Sequence, residues 1–414
     1  MTSTIHSHVF DNGLALVAEP MRSMQSAAFT FLVPAGCCFD PLGRAGLASL
    51  TCEMALRGCG NRDSRQFVSD LERLGVERGE SVGVARSTFS GATVYDSLLP
   101  ALEIYADLLQ RPLLPAGQLD AGRHVCLQEL RSIEDEPSHK LMIELRRRHY
   151  PDPWGRPSQG EQTALETITI EEIRGFHQAH YQPGGAILGV AGRFDWLELL
   201  DAVGRLFGNW RAANADAVVE SPPGRGVTHL PLQSAQTQIG IAYPSIPYSH
   251  RDYFQAWGAV GVLSSGMSSR LFTEVREKRG LCYTVGASLH SLRDRAAVLC
   301  HAGTSADRAQ QTLDVTIAEL RKLAQGVRPE ELDRLQSRIK SGLIMQQEST
   351  SSRSGALARE WYHLGRARTL DEIGQLVDGL TAESINAYLA GQPEPEFTIV
   401  TLGTSPLEVA LEVS

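Results

Sequence analysis

The sequence predicts an α+β chain of two duplicated domains of about 200 residues, each a mostly antiparallel sheet packed with helices. Two observations carry the duplication. The helical pattern of residues 101–109 recurs at 312–320, an offset of 211, and that of 169–176 recurs at 381–388, an offset of 212. Each member of the second pair is followed by an apolar strand, at 186–192 and 397–403. A third observation separates the copies. Residues 211–226 are rich in small side chains and hold Pro222, Pro223, Gly224 and Gly226, the composition of an extended surface linker. The expected division is 1–212, a linker at 213–227, and 228–414.

Residues 9–17 read as a hairpin turning at Asn12 and Gly13. The run 27–33 reads as a strand, and 43–56 as a helix. Asp63 heads a further helix to Leu74, and 87–95 alternates as a strand does. Helical periodicity follows at 97–110, 116–134, 138–149 and 170–181. The second half has helices near 251–264, 305–325, 329–348 and 351–364.

The chain has 414 residues, 42% of them apolar, enough for two domains with real cores. Its net charge of −9 and the absence of any Lys/Arg stripe argue against a nucleic-acid partner. The cations are nearly all Arg, with Lys140, Lys278, Lys322 and Lys340 the only lysines, and they scatter through every segment. Seven cysteines, including the adjacent Cys37 and Cys38, form no disulfide framework. Cys126, Cys282 and Cys300 sit in apolar runs, as small buried hydrophobes do. A reducing compartment fits best. The first residues lack a basic region followed by an apolar core, and no apolar run approaches 18 residues. The expectation is a soluble, cytoplasmic protein without a membrane partner.

The most informative stretch is Leu271-Phe-Thr-Glu-Val-Arg-Glu-Lys-Arg-Gly-Leu-Cys-Tyr283, introduced by a Ser/Gly-rich loop at 264–269. That loop lacks the Gly-Lys-Ser/Thr ending of a phosphate loop, and its expected work is capping, with Ser268 or Ser269 as N-cap. A helix follows whose last turn carries Lys278 and Arg279, suited to the negative end of the helix dipole. Gly280 supplies the C-cap, and a strand begins at Cys282. Arg276 near the helix end and Tyr283 at the strand start can then converge, offering a guanidinium and a phenol to one carbonyl oxygen. The bland alternative pairs Arg276 with Glu274 or Glu277 and packs Tyr283 at a strand end.

This segment resembles the second domain of the insulinase/pitrilysin-type zinc metallopeptidases. There an Arg and a Tyr seven residues apart help bind and polarise the scissile peptide, and the matching positions are Arg276 and Tyr283. The first domain of that family carries His-x-x-Glu-His on a helix, two metal ligands four apart and a Glu that activates the metal-bound water. A further Glu some 76 residues on completes the ligand set, leaving one position for water. Residues 46–58 keep the frame, but the resemblance sets His, Glu and His against Ser49, Cys52 and Glu53. Glu129 stands 76 positions after Glu53 where the third ligand belongs, and Gly122 replaces the usual supporting acid. One ligand of three survives, so this chain is expected to bind no metal of its own. A cysteine-protease reading of Cys52 needs a histidine base, for which His177 and His180 are the candidates by sequence.

In the bacterial branch of the family two chains of this length face each other. The zinc domain of one meets the Arg/Tyr domain of the other, and some pairs join a zinc-bearing chain with one that has lost the motif. The resemblance implies that this chain is of the second kind, a non-catalytic subunit. It would supply Arg276 and Tyr283 to a peptide held at a homologous partner's zinc, or pair with itself as a dimer. A non-enzymatic scaffold is the alternative, as for the family members of respiratory complexes.

Overall fold

The computed structural model describes residues 4–212, 218–346 and 348–409, so part of the expected linker, at 213–217, lies outside the described residues. Period-two burial, clearest in a strand at Ser87–Val94, builds two sheets. The strands of the first are β1 His6–Val9, β2 Ala15–Pro20, β3 Ser26–Val33, β4 Glu77–Val82, β5 Ser87–Val94 and β6 Ile187–Gly192, in the order β1-β2-β6-β3-β5-β4. The second has β7 Val227–Pro231, β8 Gln236–Ser245, β9 Cys282–Ser291, β10 Ala296–Ser305 and β11 Thr398–Gly403, in the order β9-β10-β8-β11-β7. The run β2-β6-β3-β5-β4 corresponds strand for strand to β7-β11-β8-β10-β9. In each, the first pair is parallel and all the others antiparallel. The duplication read from sequence offsets is therefore present in the topology.

The first half of the chain supplies α1 Leu47–Ala55, α2 Ser64–Arg73, α3 Leu98–Gln110, α4 Leu119–Glu134, α5 Pro137–His149, α6 Ile170–His180 and α7 Trp196–Phe207. The second supplies α8 Tyr253–Ser264, α9 Ala309–Lys322, α10 Pro329–Gln346, α11 Thr350–Leu364 and α12 Ala382–Ala390. Capping boxes led by Asp63, Thr169 and Thr381 fix the starts of α2, α6 and α12. Helix α1 starts at Leu47 instead of Gly43, because Gly43 and Gly46 hold φ of 76° and 102°, outside the helical region. The Asp40 carboxylate then caps it, accepting from Gly46 N at 2.7 Å and Ala48 N at 2.8 Å. Several elements escape the sequence reading, β7, β8 and β10 of the second sheet among them, as do two in the first unit. Strand β4 carries Glu77, Arg78 and Glu80 at a sheet edge, where charge blunts aggregation but erases the apolar alternation. Helix α7, capped by Asp195, is the other.

Contacts divide the chain differently from a cut at the linker. One compact unit comprises Met1–Ser132, Arg156–Glu220 and Met345–Leu370, and the other Ile133–Gly155, Ser221–Ile344 and Asp371–Ser414. Helix α5, from the first half, thus covers β8 and β11 of the second unit, and α11, from the second half, covers β6 and β3 of the first. Gly189 on β6 permits that approach, since a Cβ there would stand 2.3 Å from the Ser354 carbonyl. Thr30 and Ser354 hydroxyls bond at 2.9 Å. Arg353, 1% exposed, pairs with Glu19 of β2 and donates to the Arg368 carbonyl at 3.0 Å. In the second unit, His149 of α5 bonds Thr398 Oγ1 at 3.0 Å, and the Tyr150 hydroxyl meets His290 Nδ1 at 2.7 Å.

Removing one member of a buried ion pair strands the other charge, whereas replacing both with apolar groups of similar volume does not. Arg353→Ala is therefore expected to destabilise the first unit by about 3–5 kcal/mol. The double change Glu19→Leu with Arg353→Met should recover most of that loss. Urea unfolding of the three proteins checks it.

Candidate functional site

The first unit brings Ser49, Cys52, Glu53 and Glu129 to one recess of about 240 Å³, which Glu80 of β4 and Cys126 of α4 also line. Each of the four is committed to something other than metal ligation or is poorly suited to it. The Ser49 hydroxyl donates to the Ser158 carbonyl at 2.5 Å. Glu53 is paired with Arg57 at 2.6 Å, one helical turn on. Burial, reinforced by the nearby Glu80 and Glu53 carboxylates, pushes the Cys52 thiol well above its ordinary range, so it stays protonated. Burial and then repulsion from Glu53 raise Glu129 as well. Gly122 lies against this group, and a Cβ there would meet Met54 Sδ at 2.8 Å and Arg57 Nε at 3.3 Å. Among the described residues, no group of three or more His, Cys, Asp or Glu side chains is placed to hold a metal ion. Nor is Cys52 matched to a base. His177 donates from Nε2 to the Leu109 carbonyl at 3.0 Å and is held neutral by burial, its pKa lowered to about 4. His180 stacks on Phe39 and meets the Phe176 ring at a tilt.

In the second unit the chain around Arg276 and Tyr283 is irregular twice within a dozen residues. Residues Phe272–Glu277 form a wide π-type turn, with Lys278 N–H bonding the Thr273 carbonyl at 2.9 Å. Gly280 then takes a left-handed φ of 59°, the expected C-cap. The expected serine cap is absent: the Ser269 hydroxyl donates back to the Gly266 carbonyl at 2.7 Å, and no side chain caps the turn. On β9, Cys282 pairs with Thr304 and Thr284 with Gly303, so Tyr283 is the extra residue of a β-bulge. Its ring is 73% exposed and lines a groove of about 840 Å³ over β10 and β8, flanked by α5.

Arg276 pairs with neither Glu274 nor Glu277. Glu274 is taken by Lys278 at 2.6 Å and Arg279 at 2.8 Å, and these cations hold its carboxyl below the usual range. The Arg276 guanidinium is exposed and rests 4.9 Å from the centroid of the Phe272 ring. Among the described residues neither Arg276 nor Tyr283 has a hydrogen-bond partner. Both donors are open to a ligand.

Residues 16–157 match the family described as Insulinase (Peptidase family M16), and residues 167–339 match the one described as Peptidase M16 inactive domain. This chain belongs to the M16 peptidase family. It is 24% identical over 376 residues to an uncharacterized zinc protease of Rickettsia felis, covering 90% of this chain and 91% of that one. It is 26% identical over 390 residues to one of Mycobacterium tuberculosis, covering 91% and 87%. A crystal structure of a peptidase M16 inactive domain from Pseudomonas fluorescens shares the fold with a TM-score of 0.88 and 22% identity, over 99% of this chain and all of that one. A protease from Helicobacter pylori does so with a TM-score of 0.88 and 20% identity, over 97% and 99%.

Where the resemblance sets imidazole, general base and imidazole, this chain presents a hydroxyl, a protonated thiol and an arginine-bound carboxylate, a set poorly suited to zinc. Sequence reasoning missed Glu80, because β4 lacks a strand pattern, and the groove residues His139, Arg146, Gln238 and His301. The alternation of Gln236 and Gln238 along β8 was a usable signal for a polar sheet face.

The purified chain is expected to hold no stoichiometric zinc and to cleave no peptide. Elemental analysis giving about one zinc per chain, with hydrolysis abolished by a chelator, would contradict this. No helix among the described residues is long and apolar enough to cross a membrane.

Proposed function

We propose that this chain is the non-catalytic member of a heterodimeric M16 peptidase. It offers Arg276 and Tyr283 to the carbonyl of a peptide whose cleavage is carried out at a homologous partner's zinc. The observation that carries this is the pair of open donors in a distorted segment. Tyr283 stands on a bulge at the groove, and Arg276 lacks the carboxylate partner a structural arginine needs. Backbone irregularities of this kind gather at functional sites. A phenol and a guanidinium aimed at a developing oxyanion are worth most where water is excluded, which a second chain closing over the groove would achieve. The degenerate recess of the first unit fits the same reading, since a chain that only assists keeps its frame and loses its ligands.

On this reading Arg276→Ala or Tyr283→Phe lowers the turnover of the reconstituted pair without dissociating it. The loss of one oxyanion donor is on the order of a hundredfold, about 3 kcal/mol. Arg276→Lys recovers only part, because an ammonium lacks the planar fork of donors. Steady-state peptide hydrolysis, with assembly followed by light scattering on the same samples, is the measurement. Wild-type turnover in both variants would make this chain a scaffold subunit.

A further inference from the structure

The groove beside Tyr283 is chemically one-sided. Its lining includes Arg146, the imidazoles of His139 and His301, the amides of Gln236 and Gln238, and several hydroxyls. Among the described residues that line it there is no Asp or Glu. Arg276, seven positions before Tyr283, adds an unpaired guanidinium to the same segment. The recess of the first unit is the reverse: the described residues that line it include Glu53, Glu80 and Glu129 and no Lys or Arg.

The floor of the groove also has a direction. The His301 Nε2–H donates to Gln238 Oε1 at 2.9 Å, and Gln238 Nε2 donates to Gln236 Oε1 at 3.4 Å. The relay fixes the Gln236 amide as its terminus, with its Nε2 hydrogens bonded to no other described residue. Burial lowers the His301 pKa, so the ring remains a neutral donor and the relay keeps its sense at neutral pH. Gly303 gives the relay room: a Cβ there would stand 3.0 Å from Gln238 Oε1. The relay therefore presents donors, and donors want acceptors.

We infer that this groove recognises acidic peptide segments, taking the carboxylate side chains of an extended chain against Arg146, His139 and the Gln236 amide. The inference rests on the substrate-binding role proposed for the same groove and names its substrate class. A lysine or arginine side chain entering here would give up hydration and find no counter-charge, whereas a carboxylate meets charge and N–H donors together. Gly286 and Gly303 leave the floor low enough for backbone to approach.

The test uses the full chain alone and three fluorescently labelled octapeptides on an Ala/Ser background, carrying three Glu, three Gln or three Lys. Fluorescence polarisation at low salt should rank Glu above Gln above Lys, with about tenfold between the extremes, and added salt should compress the ranking. His139→Glu and the exposed Gln236→Glu should each erase or invert it. Equal binding of the three peptides, preference for the Lys peptide, or no binding of any would overturn the inference. So would equally tight binding of an oligothymidylate of matched charge, which would make the groove a general polyanion site. The two proposals fail separately. A lost ranking with turnover still reduced by Tyr283→Phe removes acidic recognition alone. An intact ranking with wild-type turnover in Tyr283→Phe upholds it and removes the chemistry in trans.

Discussion

Each sheet of this protein is covered by a helix that the other half of the sequence supplies. In the first unit the constraint is most severe, because α11 can lie on β6 only where Gly189 removes the Cβ that would strike the Ser354 carbonyl. Once that close approach is made, Arg353 is sealed from water and needs the Glu19 carboxylate. Each half of the chain buries one face of its own sheet, and the helix on the other face comes from the other half. Any functional reading must respect this: residues 133–155 serve the unit that carries Tyr283, and α5 forms a wall of its groove.

The duplicated frame holds two sites of opposite chemistry. In both units a helix stands against an edge strand, α1 against β4 and α8 against β9. In the first the space between is small, acidic and occupied by internal pairs, among them Glu53–Arg57 at 2.6 Å. In the second the edge strand is bulged and preceded by a π-type turn, and two donors are left unpaired. The same architecture therefore closes one site on itself and leaves the other open.

Much of this was legible in the sequence. The offsets of 211 and 212 gave the duplication, and Asp63 announced its helix by position alone. The resemblance that sets Ser49, Cys52 and Glu53 against the metal-site positions needed only the motif. Even the pairing of Glu274 was readable in principle. Lys278 lies four residues on, one helical turn away on the same face, while Arg276 and Glu277 point elsewhere. Strand β4 was not legible, because a charged edge strand carries no apolar alternation, and with it went Glu80.

The sequence by itself determined the helical periodicity, the duplication and the cap of α2 at Asp63, since each is written in residue type and short-range spacing. Tertiary structure decided which sheet each amphipathic helix covers, because a hydrophobic face records that it is buried and not against what. It also decided that Tyr283 sits on a bulge and that Gln236, Gln238 and His301 form one relay. Those facts depend on the register between β9, β10 and β8, which is set by strand pairing over long separations in the chain and not by any one strand's sequence.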